Sequence, residues 1–113
     1  MYPKHHLMEI LFDQPYLSEL YFNGRCKDKR HRFQPEIIKR YIRVIDILNG
    51  ASGIEELYPL HGLNYKKLTG DKEGIESVRV NNQYRVEFKT SLSGVEQTIT
   101  ICNILELSNH YSE

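Results

Sequence analysis

Apolar residues in the first half of the chain recur every three or four positions, the spacing of an α-helix. One stripe predicts a helix over residues 15–22, with Pro15 in its first turn. A second predicts a longer helix that starts at Pro35 and stops at Asn49-Gly50. The longer stripe consists of Ile37, Ile38, Tyr41, Ile42, Val44, Ile45 and Leu48. A short apolar run at residues 8–12 precedes both helices and predicts a strand.

After Gly74 the pattern changes to the alternation of apolar and polar residues that is typical of β-strands. It predicts strands over residues 77–80, 84–88 and 95–105, separated by Asn81-Asn82 and by Ser93-Gly94. Asparagine suits the first turn because it tolerates positive φ. We therefore expect one α+β domain over residues 1–113, with two N-terminal helices packed on a small antiparallel sheet. The predicted element order is strand, helix, helix, strand, strand, strand.

The first predicted hairpin constrains the position of two arginines. Directly opposed residues in a hairpin share a face, so a common apolar face pairs Val80 with Tyr84. Arg79 then lies opposite Arg85, where like charges repel. Either a bound anion relieves this repulsion, since guanidinium binds phosphate with paired hydrogen bonds, or a carboxylate does. Glu76, Glu87 and the third strand could supply that carboxylate.

Composition narrows the class of protein. The 113 residues are 40% hydrophobic and 27% charged, which is typical of a globular domain. No apolar run is long enough to span a bilayer, and the N-terminus lacks the pattern of a signal peptide. The two cysteines, Cys26 and Cys102, form no paired motif, which favours a reducing compartment. These features predict a cytoplasmic protein without a metal or cofactor.

The net charge is zero, but it is unevenly distributed. Between Arg25 and Arg43 eight basic residues accompany two acidic ones, so this segment carries +6 and the rest of the chain −6. Such a segment is compatible with a polyanionic partner or, more simply, with a solvated helix face.

One stretch resembles a known family. Residues 70–88, GDKEGIESVRVNNQYRVEF, are similar to the signature of HigB-type toxins of the RelE/ParE superfamily. The segment from Leu60-His61-Gly62 to Leu68 and the ending Asn109-His110-Tyr111 also resemble that family. The resemblance is specific over roughly residues 57–111. It implies a fold with a small antiparallel sheet and two N-terminal helices.

The resemblance also implies a function. Members of this group are typically endoribonucleases that cut messenger RNA on the ribosome, without a metal. A cognate antitoxin, HigA-like and often with a helix-turn-helix domain, holds them inactive. Two alternatives share the fold: a ParE-like gyrase inhibitor, and a catalytically impaired module that only binds its antitoxin.

Three residues, Arg85, His110 and Tyr111, match the family's catalytic positions. Arg85 would stabilise charge on the reacting phosphate, unless it forms a structural salt bridge, and Arg79 would be a second phosphate contact. His110 and Tyr111 occupy the family's terminal Tyr-His pair in reversed order. Imidazole titrates near neutrality, so His110 is the better acid or base, and Tyr111 could orient or stack on a base. The alternative is a frayed tail without a role.

The lysines depart from the family pattern. Many members carry a lysine at the position of Thr69. Lys66, Lys67 and Lys72 flank that position and are candidate phosphate-binding residues. A lysine displaced by two or three residues need not reach the same phosphate, so reduced activity is an alternative outcome.

Overall fold

A computed structural model describes residues 6–109. Both predicted helices and the predicted strands are present. The third C-terminal strand begins at Ile99 rather than Val95, because Val95–Gln97 forms a 3-10 turn. The elements are β1 (Leu7–Phe12), α1 (Pro15–Asn23), α2 (Pro35–Gly50), β2 (Lys66–Lys67), β3 (Glu76–Arg79), β4 (Arg85–Ser93) and β5 (Ile99–Ser108).

The sheet is mixed, and the expectation of a purely antiparallel sheet was wrong. Its strand order is β1-β5-β4-β3-β2, and β1 runs parallel to β5 from Leu7↔Ile99 to Phe12↔Ile104. Alternation along a strand shows which face a side chain takes, but not the direction of the neighbouring strand. The two-residue β2, which pairs antiparallel with β3, was also missed because it is too short to show a period.

The core lies between the two helices and one face of the sheet. The side of α2 that carries Ile37, Tyr41 and Leu48 is buried with Val86 and Phe88 of β4. The Tyr41 hydroxyl donates a hydrogen bond of 2.9 Å to the Leu17 carbonyl and so joins the two helices. The opposite face of the sheet carries polar residues, among them Ser77, Arg85 and Glu87, which are themselves buried.

The predicted hairpin register is confirmed, with Arg79 opposite Arg85 and Val78 opposite Val86. The turn, however, does not use positive φ at its asparagines. Instead the Asn81 side-chain oxygen accepts hydrogen bonds from the backbone N–H groups of Gln83 and Tyr84, at 2.9 and 2.7 Å. A side chain that replaces a backbone acceptor is the other reason asparagine favours turns.

A β-bulge in β5 changes which face of the sheet the last residues of the strand occupy. The register passes from Phe88↔Ile104 to Glu87↔Glu106, so Leu105 is the extra residue. Cys102 and Ile104 are in the core before the bulge, and Leu107 is in the core after it. Bulges re-aim side chains in this way. This one turns Glu106 and Ser108 toward the face that carries Arg85.

No helix within residues 6–109 is both long and apolar enough to cross a membrane.

Candidate active site

The sheet face opposite the helices carries a polar cluster. Alternation along β3 and β4 directs Val78, Val86 and Phe88 into the core, and their neighbours therefore point the other way. The cluster, which we call the arginine face, consists of Ser77, Arg79, Arg85, Glu87, Glu106 and Ser108.

Arg85 is fixed at the centre of the arginine face, with only 4% of its surface exposed. Its Nε donates a hydrogen bond of 2.9 Å to the Ser77 hydroxyl. Its Nη2 donates to the Ser77 carbonyl at 3.3 Å and to the Asn64 carbonyl. These bonds orient the guanidinium before any ligand arrives.

Arg79 is the more accessible of the two opposed arginines. Its side chain is half-buried, and its Nη2 donates to the Asn82 side-chain oxygen. Glu76, one of the carboxylates considered for neutralising the pair, lies on the core side of the sheet, where it accepts from Tyr65 and Thr90. The carboxylates that share a face with the arginines are Glu87 and Glu106.

Lys72 reaches the arginine face through a tight turn. The chain enters the 3-10 turn Gly70–Lys72 with φ of +66° at Gly70, which glycine adopts without strain. The Lys72 ammonium lies 2.7 Å from a carboxylate oxygen of Glu87, whose side chain is 3% exposed. The turn therefore brings Lys72, three residues beyond Thr69, into contact with Glu87 on the same strand as Arg85.

Replacing Lys72 with methionine should lower the free energy of unfolding by about 1–2 kcal/mol. The expected loss lies between those of exposed and fully buried ion pairs, since Lys72 is itself 39% exposed. Glu87 also faces Glu106 directly across β4 and β5, where like charges repel.

Urea denaturation would measure this change, with Lys89→Met on an exposed position of β4 as the control. Adding Glu87→Gln to Lys72→Met should recover much of the lost stability. A double variant that is less stable than Lys72→Met alone would contradict the view that Lys72 stabilises the fold by compensating the charge of Glu87.

Lys66 and Lys67 do not act together, because neighbouring residues of a strand point to opposite faces. Lys66 lies opposite Ser77 and therefore on the arginine face. Lys67 lies opposite Glu76 and lines a separate pocket on the other side of the sheet.

Tyr16 anchors the bulged end of β5. Its hydroxyl accepts a hydrogen bond of 3.2 Å from the Leu107 backbone N–H, and burial raises its pKa to about 12. Its ring stacks on His31, with centroids 3.6 Å apart. The Asp28 carboxylate pairs with His31 and Arg30, and the hydrogen bonds from Arg30 hold the pKa of that carboxyl well below its usual range. These contacts connect the loop between α1 and α2, through His31 and Tyr16, to the end of β5 beside the arginine face.

Sequence reasoning overlooked several residues on or beside the arginine face. Ser77 could have been found, because the predicted register already places it opposite Glu87 on the arginine face. Glu106 and Ser108 depend on the bulge, and the Asn64 carbonyl depends on the path of a loop, so no periodic signal marks them.

His110 and Tyr111 lie outside the described residues. Within residues 6–109, no group of three or more His, Cys, Asp and Glu side chains is arranged to hold a metal ion. Cys26 and Cys102 are free thiols, and burial raises the pKa of Cys102 to about 12.

Two sequence comparisons identify one family, and a structural comparison shows the fold. Residues 11–100 match a family model described as the RelE-like toxin of type II toxin–antitoxin system HigB. Toxin HigB-1 of Vibrio cholerae serotype O1 is 34% identical over 83 residues, which cover 73% of this chain and 83% of that protein. The structure of a YoeB/ParE toxin from Agrobacterium tumefaciens matches 92% of this chain and 100% of its own, with a TM-score of 0.57. At 18% identity, that likeness shows the fold.

Proposed function

This chain belongs to the HigB-like toxin family of type II toxin–antitoxin systems, and on that premise we propose that it is an endoribonuclease that cuts messenger RNA on the ribosome. The observation that carries the proposal is the register that places Arg79 directly opposite Arg85 on the sheet face opposite the hydrophobic core. Two guanidiniums so placed repel each other, and a phosphodiester between them relieves the repulsion.

The proposed reaction is attack of a ribose 2′-hydroxyl on the adjacent phosphate. The O2′–P bond forms and the P–O5′ bond breaks, which leaves a 2′,3′-cyclic phosphate and a free 5′-hydroxyl. One proton leaves the 2′-oxygen and another reaches the departing 5′-oxygen, so the reaction needs a base and an acid. Negative charge increases on the non-bridging oxygens in the transition state.

We assign the roles as follows. Arg79, which is accessible, binds the phosphate first. Arg85 then stabilises the transition-state charge after RNA displaces the Asn64 carbonyl from its Nη2. Lys66 and Lys72 hold neighbouring phosphates from the same face, with Lys72 in place of the lysine that Thr69 replaces. His110 transfers one of these two protons and solvent transfers the other, and Tyr111 positions a nucleobase.

The family implies a cognate antitoxin as partner. We propose that it is a HigA-like, helix-turn-helix protein that neutralises this chain, and that both act in the cytoplasm. The expected sequence of events is release from the antitoxin, entry into the ribosome and cleavage of the bound messenger.

The deciding experiment incubates the purified chain with messenger RNA on programmed ribosomes. Mapped cuts with 5′-hydroxyl and 2′,3′-cyclic phosphate ends would support the proposal, and a messenger with 2′-O-methyl groups at the cut sites should resist. The same messenger without ribosomes shows whether the ribosome is required. A folded, antitoxin-free chain that makes no cuts contradicts the nuclease assignment, and a gyrase supercoiling assay would then test the ParE-like alternative.

A further inference from the structure

A groove of about 680 Å³ lies between α2 and the loop at residues 60–63, and it extends to the end of β3. Basic side chains outnumber acidic ones along it, and aliphatic side chains complete the lining. The charged members are Lys39, Arg40, Arg43, Arg79 and Glu36, and the aliphatic members are Val44, Ile47, Leu60, Leu63 and Val80. We call this feature the basic groove.

The positive charge of the basic groove is largely uncompensated. Lys39 and Arg43 are four residues apart on α2 and so project from the same side of the helix. Both are exposed, and within residues 6–109 neither makes a hydrogen bond or an ion pair. Arg40 lies 3.6 Å from Glu36, but both side chains are more than half exposed, so that pair is weak.

The lining of the groove strengthens the attraction for anions. A cleft that combines charges of one sign with low-dielectric walls concentrates the electrostatic field and raises the local concentration of counter-ions. Here Val44, Leu63 and Val80 are buried beside the exposed cations. The cations are distributed between a helix and a strand end, which suits a ligand with several spaced negative charges better than a single small anion.

The basic groove and the arginine face share Arg79. Arg79 lines the groove and is also the cross-strand neighbour of Arg85. Directly opposed residues in an antiparallel pair have α-carbons about 4.5–5.5 Å apart. A polyanion in the groove that contacts Arg79 is therefore held one strand away from Arg85, at the proposed cleavage centre.

We propose that the basic groove binds the phosphodiester backbone of the messenger strand on one side of the phosphate that reaches Arg85. The inference rests on the proposed function and adds Lys39, Arg40 and Arg43 to the surface that holds the substrate. Because the groove shares Arg79 with the arginine face, RNA is favoured over an acidic peptide of the antitoxin.

The test uses a fluorescein-labelled 2′-O-methyl oligouridylate of about 20 nucleotides, which exceeds a single-strand site and lacks the nucleophile for cleavage. Fluorescence anisotropy compares wild type with the Lys39→Gln/Arg43→Gln variant across a salt series. The control variant, Lys29→Gln/Arg32→Gln, removes the same charge from exposed positions of the basic segment outside the groove.

The groove variant should bind roughly tenfold more weakly at physiological salt, and its log–log salt slope should fall by about 1.4, or 0.7 for each lost phosphate contact. The control variant should remain within about twofold of wild type. Equal binding by the groove variant and wild type, equal losses in both variants, or no binding by wild type would overturn the inference.

Two further measurements identify the occupant. If the groove variant binds the oligonucleotide normally but co-sediments less with empty ribosomes, the groove binds ribosomal RNA. If it binds RNA normally but binds the purified antitoxin more weakly, the groove binds the antitoxin. Either result overturns the proposal. Cleavage is measured separately. If RNA binding depends on the groove but no cleavage occurs, the result contradicts the nuclease assignment. If cleavage occurs but RNA binding does not depend on the groove, the result contradicts only this inference.

Discussion

Replacing Arg85 with alanine should slow messenger cleavage by about 100- to 1,000-fold. That is the usual cost of removing one preorganised donor aimed at transition-state charge. Arg85 is preorganised here, because the hydroxyl and the carbonyl of Ser77 hold its guanidinium before RNA binds. Single-turnover cleavage on programmed ribosomes measures the effect, with Arg32→Ala at an exposed position as the matched control.

The fold should survive this substitution. Loss of Arg85 leaves the Ser77 hydroxyl and the Asn64 carbonyl without these bonds, at a cost of about 1–3 kcal/mol. A domain of this size is usually stable by about 5–15 kcal/mol, so the variant remains folded. The urea midpoint and affinity for the antitoxin provide the check.

Arg85→Lys separates a catalytic role from a structural one. It keeps the positive charge, but one ammonium cannot reproduce the planar set of donors that contacts both Ser77 and Asn64. We expect a folded variant whose loss of stability is comparable to that of Arg85→Ala, and at least tenfold slower cleavage. A folded Arg85→Ala chain that cleaves at the wild-type rate would show that the arginine only supports the sheet.

Replacing His110 with alanine should slow cleavage by about 100- to 10,000-fold, the range for loss of a general acid or base. The last described strand ends at the site, because Ser108 lies directly opposite Arg85.

The pH dependence identifies the proton-transfer group. The wild-type rate should depend on pH through one ionisation that His110→Ala removes, because imidazole is the side chain best suited to proton transfer. Tyr111→Phe, which removes only a hydroxyl, should retain the pH profile and most of the rate. The opposite result, with a large loss in Tyr111→Phe and none in His110→Ala, would transfer the acid–base role to the tyrosine.

The sequence by itself determined those features that depend on interactions between residues close together in the chain. Helix α2 was predictable because residues three and four apart in sequence share a side, and its buried residues, such as Tyr41 and Leu48, follow that spacing. The register that sets Arg79 opposite Arg85 was also predictable, since the three-residue loop and the shared apolar face of β3 and β4 allow only one parity. The family and its proposed chemistry came from residues 70–88, a contiguous stretch.

Tertiary structure alone decided the features that join distant segments. The parallel pairing of β1 with β5 brings together residues about ninety positions apart, and no local pattern encodes the direction of such a contact. The bulge at Leu105 turned Glu106 toward Arg85, although unbroken alternation would have placed it on the other face. The basic groove likewise exists only because α2 packs beside residues 60–63 and the end of β3. Short-range periodicity determines which side of its own helix or strand a side chain occupies. The residues that it contacts there are determined by how distant segments pack together, which no local pattern records.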